Sequence, residues 1–298
     1  MSKKALALIA LLIVNLIYGA NYIIAKGVMP QYCGPAAFIM MRVVGAVVLF
    51  WLINLFIKEK IATKDFFRLA ICGLFGVAVN QLFFFEGLSL ASPVDSSIIM
   101  TFTPIIVLIL SAIILKNKIT KNKIAGIVLG SIGAITLITY SEFVFKDNSG
   151  SMLGNLFILI NASSYSLYLV LVKPLMAKYK PITVISWVFL FGSAYVIPYS
   201  FKQFTEVNWN MPPDIIGSII FVVIAVTFLA YLLNIFALKY VQPSVSSSFI
   251  YLQPAVTIGF TLGYAYFTNT AQTTPISWIH GACLALIFGG VYLIGKEK

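Results

Sequence analysis

Leu88-Ser89-Leu90-Ala91-Ser92-Pro93 continues through Ser96-Ser97 to Pro104, and Leu238-Lys239-Tyr240-Val241-Gln242-Pro243 continues through Ser246-Ser247 to Pro254. Each matched residue is offset by 150 positions, about half of the 298-residue chain. The echo extends outward: Tyr18 through Lys26 aligns with Tyr165 through Lys173 at an offset of 147. A weaker match relates Gly126 to Leu129 with Gly281 to Leu284. A very apolar chain that repeats itself at half its length has the organisation of a transporter whose pathway lies between two related halves.

Composition supports the membrane part of that reading. The chain is 60% hydrophobic and 10% charged, with mean hydropathy +0.99. Soluble domains carry roughly a quarter charged residues, so most of this surface must face lipid. The net charge of +11 does not imply nucleic acid, because the basic residues sit in short clusters between apolar runs, where they act as topology signals. Cys33, Cys72 and Cys283 are scattered and have no metal or disulfide spacing. Cys72 and Cys283 lie within apolar runs and read as small buried hydrophobes. Lys3-Lys4 before an apolar run imitates a secretion signal, but no small-residue cleavage site follows, so the run reads as a retained first helix.

About 20 apolar residues cross a bilayer. Ten runs qualify, near 5–25, 35–57, 67–88, 93–115, 122–140, 152–172, 183–201, 215–237, 244–267 and 276–295. The expected fold is an all-α integral membrane protein of ten transmembrane helices. The stretch from Lys202 to Asp214, with Trp209 and Pro212-Pro213, reads as an interfacial connector. With the N-terminus in the cytoplasm, sixteen Lys and Arg fall on the inner side and three (Lys26, Lys146 and Lys202) on the outer side. That asymmetry places both termini in the cytoplasm and suits a multi-pass protein of the cell inner membrane. Each half, 1–146 and 147–298, holds five helices. An odd number reverses the second half, so the two form inverted repeats about an axis in the membrane plane.

These features resemble the drug/metabolite transporter superfamily in its EamA-type branch, with two such repeats over nearly the whole chain. The resemblance rests on the L-x-x-x-x-P…P entries to the fourth and ninth helices, on Tyr18-Gly19-Ala20-Asn21-Tyr22, and on Arg42 in the second helix. The chain departs from the family pattern in having Tyr18 for a tryptophan. It also has Asn117, and Gln272 or Asn269, where glutamates commonly follow the fourth and ninth helices. The resemblance implies transport of a small molecule, in a family that moves amino acids, drugs and phosphorylated or nucleotide-linked metabolites.

Polar residues at membrane depth face the bundle or a wet cavity. Polar-aromatic stripes recur on six helices: Asn15, Tyr18 and Tyr22; Asn80 and Phe84 beside Gln81 and Phe85; Ser97, Thr101 and Pro104; Asn161, Tyr165 and Tyr168; Thr227, Tyr231 and Asn234; Ser247, Tyr251 and Pro254. Tyr18, Asn21, Tyr22, Arg42, Asn80, Gln81, Thr101, Tyr165, Tyr168, Tyr231, Asn234 and Tyr251 are the candidate substrate-binding residues. The plainer reading is helix-to-helix bonding, and for single serines and threonines it is preferred. Tyr140, Tyr199 and Tyr292 fit an interfacial belt. Arg42, a charge inside a span, is read either as pairing with Asp95 or Glu86, the preferred assignment, or as a bidentate partner for a substrate anion. Glu86 and Asp95 face Phe236 and Val245 at the 150-residue offset. They are candidate proton-coupling groups, against the plainer reading of solvated loop charges. His280, without nearby acids, reads as an interfacial donor. Pro93, Pro104, Pro243 and Pro254 are candidate hinges.

No phosphate-binding motif is present, and no cofactor or metal is expected. The leading function is secondary transport exporting amino acids or related small metabolites by alternating access. A membrane-embedded enzyme acting on lipid-linked substrates is the alternative, but nine acids and one histidine supply no evident catalytic constellation. The expected partners are the substrate and the bilayer, and a monomer is compatible with these features.

Overall fold

A computed structural model describes residues 2–57, 59–91, 93–144, 152–267 and 278–295. Among the residues singled out above, the side chains of Pro93, Asp95, Tyr140 and His280 and all of Lys146, Asn269 and Gln272 lie outside that description. The described residues form helices and no strand. The helices are α1 (Lys3–Val28), α2 (Pro35–Asn54), α3 (Thr63–Leu90), α4 (Pro93–Met100 and Thr103–Ile114) and α5 (Lys121–Val144). They continue as α6 (Met152–Lys178), α7 (Pro181–Thr205), α8 (Pro213–Tyr240), α9 (Pro243–Ser248 and Leu252–Phe267) and α10 (Trp278–Gly295). By length and composition, α1, α2, α3, α6, α7 and α8 can each cross a membrane. Both α4 and α9 are interrupted, which shortens their continuous runs.

Local chemistry sets the starts. The Ser2 hydroxyl accepts the Ala5 N–H at 3.1 Å and caps α1. Pro35, Pro181, Pro213 and Pro243 open α2, α7, α8 and α9, where a missing N–H costs nothing. Pro93 likewise heads α4. Pro104 and Pro254 follow irregular turns: α4 breaks at residues 101–102, and α9 tightens into a 3-10 turn over Phe249–Tyr251. A proline cannot bond to the carbonyl four residues back, which loosens the preceding turn. Two further irregularities are wide π-helical turns, Leu74–Val79 in α3 and Val222–Leu229 in α8. Shifted by 150 residues, the two overlap.

Several helices exceed the apolar runs expected of them, and at one such end polar contacts hold the extension. At the start of α3, Asp65 accepts from Lys178 Nζ at 3.0 Å and from Tyr179 Oη at 2.8 Å. Those partners close α6, which reaches Lys178 instead of position 172.

Packing follows the echo. Helix α1 lies along α8 and α9, and α6 lies along α3 and α4. Helices α2 and α7 pack together, as do α5 and α10. A Cβ on Gly45 would stand 2.6 Å from Val223 of α8, and one on Gly192 would stand 2.5 Å from Val77 of α3. These glycines, 147 residues apart, let α2 and α7 approach their neighbours. Lys26 Nζ donates to the carbonyls of Leu88, Ser89 and Ala91 at 2.8–3.1 Å. Lys173 Nζ donates to those of Leu238 and Val241. Each lysine thus binds carbonyl oxygens freed at a helix C-terminus. Outward faces are apolar: Leu6, Ile9, Leu12, Ile13 and Leu16 on α1, and Ile216, Ile220 and Ile224 on α8. Faces like these suit hydrocarbon, and the chain is a multi-pass membrane protein. All three cysteines are buried and unbridged.

Candidate functional site

The wide turn of α3 delivers Asn80 and Gln81 to the centre of the bundle, and that of α8 delivers Tyr231. There Tyr231 Oη lies 3.0 Å from Asn80 Oδ1, to which it donates, and 3.5 Å from Gln81 Nε2, from which it accepts. From α1, Tyr22 Oη donates to Gln253 Oε1 of α9 at 3.1 Å, and Gln253 Nε2 donates to Asn15 Oδ1 at 2.8 Å. From α6, Asn161 Nδ2 donates to the Asn80 carbonyl at 2.7 Å. Several buried amides and phenols are thus bonded across both halves, which offsets part of the cost of removing them from water.

A cavity of about 70 Å³ opens among these groups. Eight of the sequence candidates line it: Tyr18, Asn21, Tyr22, Arg42, Asn80, Gln81, Tyr165 and Tyr231. Four do not. Tyr168 is fully buried one turn beyond Tyr165, with its ring against Gly76. Asn234 lies beneath the cavity, donating to Tyr165 Oη and accepting from Ser246 Oγ at 3.0 Å. Tyr251 turns toward α5, within 2.9 Å of Ser131 Oγ and 3.4 Å of the Ile127 carbonyl. Thr101 sits buried in the break of α4, and Met100 lines the cavity beside it. Phe84, Phe85, Asn161, Val226 and Gln253 complete the wall. Gln253 was not among the candidates. Its signal was an amide directly before Pro254, one of the echoed prolines.

Arg42 is 3% exposed. Its Nε donates to Thr227 Oγ1 at 2.9 Å, and Thr227 Oγ1 donates to the Val222 carbonyl at 2.9 Å within the wide turn of α8. The guanidinium carbon stands 4.1 Å from the centre of the Phe85 ring and 5.9 Å from that of Phe38. A desolvated cation over a ring gains up to about 2 kcal/mol. That leaves the charge without an anion: Arg42 makes no ion pair among the described residues, and its Nη1 has no hydrogen-bond partner. Of the two acids in the preferred sequence assignment, Glu86 is not the partner of Arg42, and the side chain of Asp95 lies outside the described residues. Glu86 instead accepts from Tyr199 Oη at 3.4 Å. A buried unpaired charge is costly, and the geometry here suits an anion arriving from outside the fold.

A model of the EamA-like transporter family matches residues 5–139 and again residues 152–296. A protein of Archaeoglobus fulgidus named an uncharacterized transporter is 26% identical over 268 residues, covering 90% of this chain and 91% of its own. The Bacillus subtilis protein YyaM, also named an uncharacterized transporter, is 29% identical over 210 residues, covering 70% and 69%. A solved crystal structure superposes with a TM-score of 0.73 over 98% of each chain at 16% identity, a likeness of fold. The family and the names of these relatives indicate a transporter and not an enzyme. With its two matched stretches spanning most of the sequence, this chain belongs to the EamA-like transporter family.

Proposed function

We propose that this transporter exports amino acids or related small metabolites across the cell inner membrane by alternating access, with both termini in the cytoplasm. All ten helical stretches cross the bilayer, and residues 1–146 and 147–298 form two inverted halves that rock about the cavity. The observation that carries this reading is Arg42: a buried guanidinium with no anion among the described residues, in a cavity lined from both halves. At about 70 Å³ the cavity is well below the ~300 Å³ at which drug-sized pockets begin, which favours a small cargo. The breaks before Pro104 and Pro254 supply bending points. Of Glu86 and Asp95, which have no acidic equivalents in the second half, one is the proposed proton-coupling group. Flux of labelled amino acids into proteoliposomes, with and without a pH gradient, tests the proposal. Gradient-driven flux lost in Glu86→Gln or Asp95→Asn supports coupling; the same flux in both variants removes it. No flux across the amino acids would remove the cargo assignment.

A further inference from the structure

The cavity wall is unequal in its hydrogen-bonding supply. Among the described residues no carboxylate lines it, and Arg42 is the one charge. Four of its buried polar atoms lack a partner: Arg42 Nη1, Asn21 Oδ1, Gln81 Oε1 and Asn161 Oδ1. Their residues are each 2–3% exposed. One is a charged donor and three are amide oxygens, which only accept. Asn161 cannot exchange its amide ends to correct this, because its Nδ2 donates to the Asn80 carbonyl at 2.7 Å. Each unpartnered buried group carries a desolvation cost, and a ligand that supplies the missing partners removes it.

We infer that the cargo is a small zwitterion whose carboxylate binds Arg42 and whose ammonium donates to the free amide oxygens of Asn21, Gln81 and Asn161. A guanidinium grips a carboxylate through parallel N–H bonds, and an ammonium has three protons to give. Thr227 is the positioning residue: it engages Arg42 Nε from the wide turn of α8 and fixes the plane of the fork. Phe84, Phe85, Met100 and Val226 leave an apolar wall for a short side chain. Organic cations are disfavoured because they meet Arg42 with no acid among the described residues to offset it. Simple monocarboxylates are weak because they leave the amide oxygens unfilled.

This inference rests on the proposed amino-acid cargo, and the test separates the two. L-alanine, L-valine and L-leucine are compared with their 2-hydroxy acids and their amides. The readouts are the shift in unfolding midpoint of the full-length protein in detergent and competition for flux in proteoliposomes. The expected result is that at least one amino acid binds, and that both of its analogues bind at least about tenfold more weakly, as when a built polar contact goes unmade. Arg42→Gln narrows the gap between amino acid and amide, and Asn21→Leu narrows the gap between amino acid and hydroxy acid. Thr227→Val raises KM for the amino acid with little change in kcat, and Thr227→Ser restores it. If an amino acid is moved and its hydroxy acid or amide competes equally, the zwitterion assignment is wrong while transport of amino acids stands. If none of the three amino acids binds or is moved, both fall. The ligand comparison is made on the unmodified protein, so it decides the question even where a variant misfolds.

Discussion

Gln81 and Tyr231 stand 150 residues apart and hydrogen-bond to each other across 3.5 Å. That separation is the offset of the sequence echo, so each residue touches its own counterpart. Under two-fold symmetry, a position contacts its equivalent only close to the axis. The pair therefore marks where the axis of the proposed inverted halves would run, at the cavity wall. The self-matched packing of α2 with α7 and of α5 with α10 fits the same axis.

Tyr231→Phe keeps the ring and its 4.9 Å edge contact with Phe189 but removes the proton donated to Asn80 Oδ1. A buried acceptor loses its donor at the junction of the halves. The variant is expected to lose about 1 kcal/mol of stability and to transport at least several-fold more slowly. Thermal unfolding in detergent and flux in proteoliposomes measure the two effects. Unchanged flux at unchanged stability would show that the contact is incidental.

Lys26 and Lys173 are related by the 147-residue offset and hold matching carbonyls, Leu88 with Leu238 and Ala91 with Val241. Lys26→Met and Lys173→Met are expected to destabilise the protein to a similar degree, by about 1.5–3 kcal/mol, the range for hydrogen bonds to a charged group. Lys178→Met breaks a pair whose lysine side chain is 45% exposed and should cost less, since such pairs are screened. Equal losses in all three variants would contradict a special role for the first two.

Much of this site was legible because polar groups avoid lipid, and helical periodicity sorts them onto faces. Tyr18, Tyr22, Asn80 and Tyr231 were found that way, on helices whose stripes point where the period says. The failures cluster at irregular turns. Extrapolating at helical pitch from Ser247 predicts that Tyr251 faces the pathway. The 3-10 turn over Phe249–Tyr251 has about three residues per turn, which rotates the later residues of α9 to a different face. Tyr251 then turns to α5, and Gln253 lines the cavity. In α4 the break at 101–102 gives Met100 the place expected for Thr101. Arg42 was misread for another reason. Acids at the same outer end of the bundle look like partners, but Arg42 meets Phe85, the residue before Glu86 on α3, and Thr227 of α8.

Gly76→Ala tests the fit under the cavity. A Cβ there would lie 2.3 Å from Tyr168 Cδ2, and the Tyr168 ring is fully buried, so it has little room to yield. A loss of about 1–3 kcal/mol is expected. Gly217→Ala, with nothing within 4 Å of the added carbon, should instead be neutral or stabilising by up to ~1 kcal/mol, since it lies within a helix. Unfolding midpoints of the two variants should move in opposite directions or differ clearly. If both tolerate alanine equally, the close approach of α3 to α6 is not a constraint on the fold.

Thiol labelling separates a working cavity from a static one. The native cysteines give a quiet background: all three are buried, and burial pushes the Cys33 thiol up to about 11, leaving very little reactive thiolate at neutral pH. Gln81→Cys places a thiol on the cavity wall, and Tyr251→Cys places one behind it, toward α5. Both Gln81 and Tyr231 on that wall are almost wholly buried, so modification of position 81 by a charged sulfonate reagent reports opening of the cavity to water. Position 81 is therefore expected to react measurably from one side of the membrane and to be slowed by a transported amino acid, while position 251 stays inert. A reaction at 81 that no substrate slows would detach the cavity from the pathway. Silence at 81 under every substrate and pH gradient would mean that the cavity does not open, and alternating access about this site would be wrong.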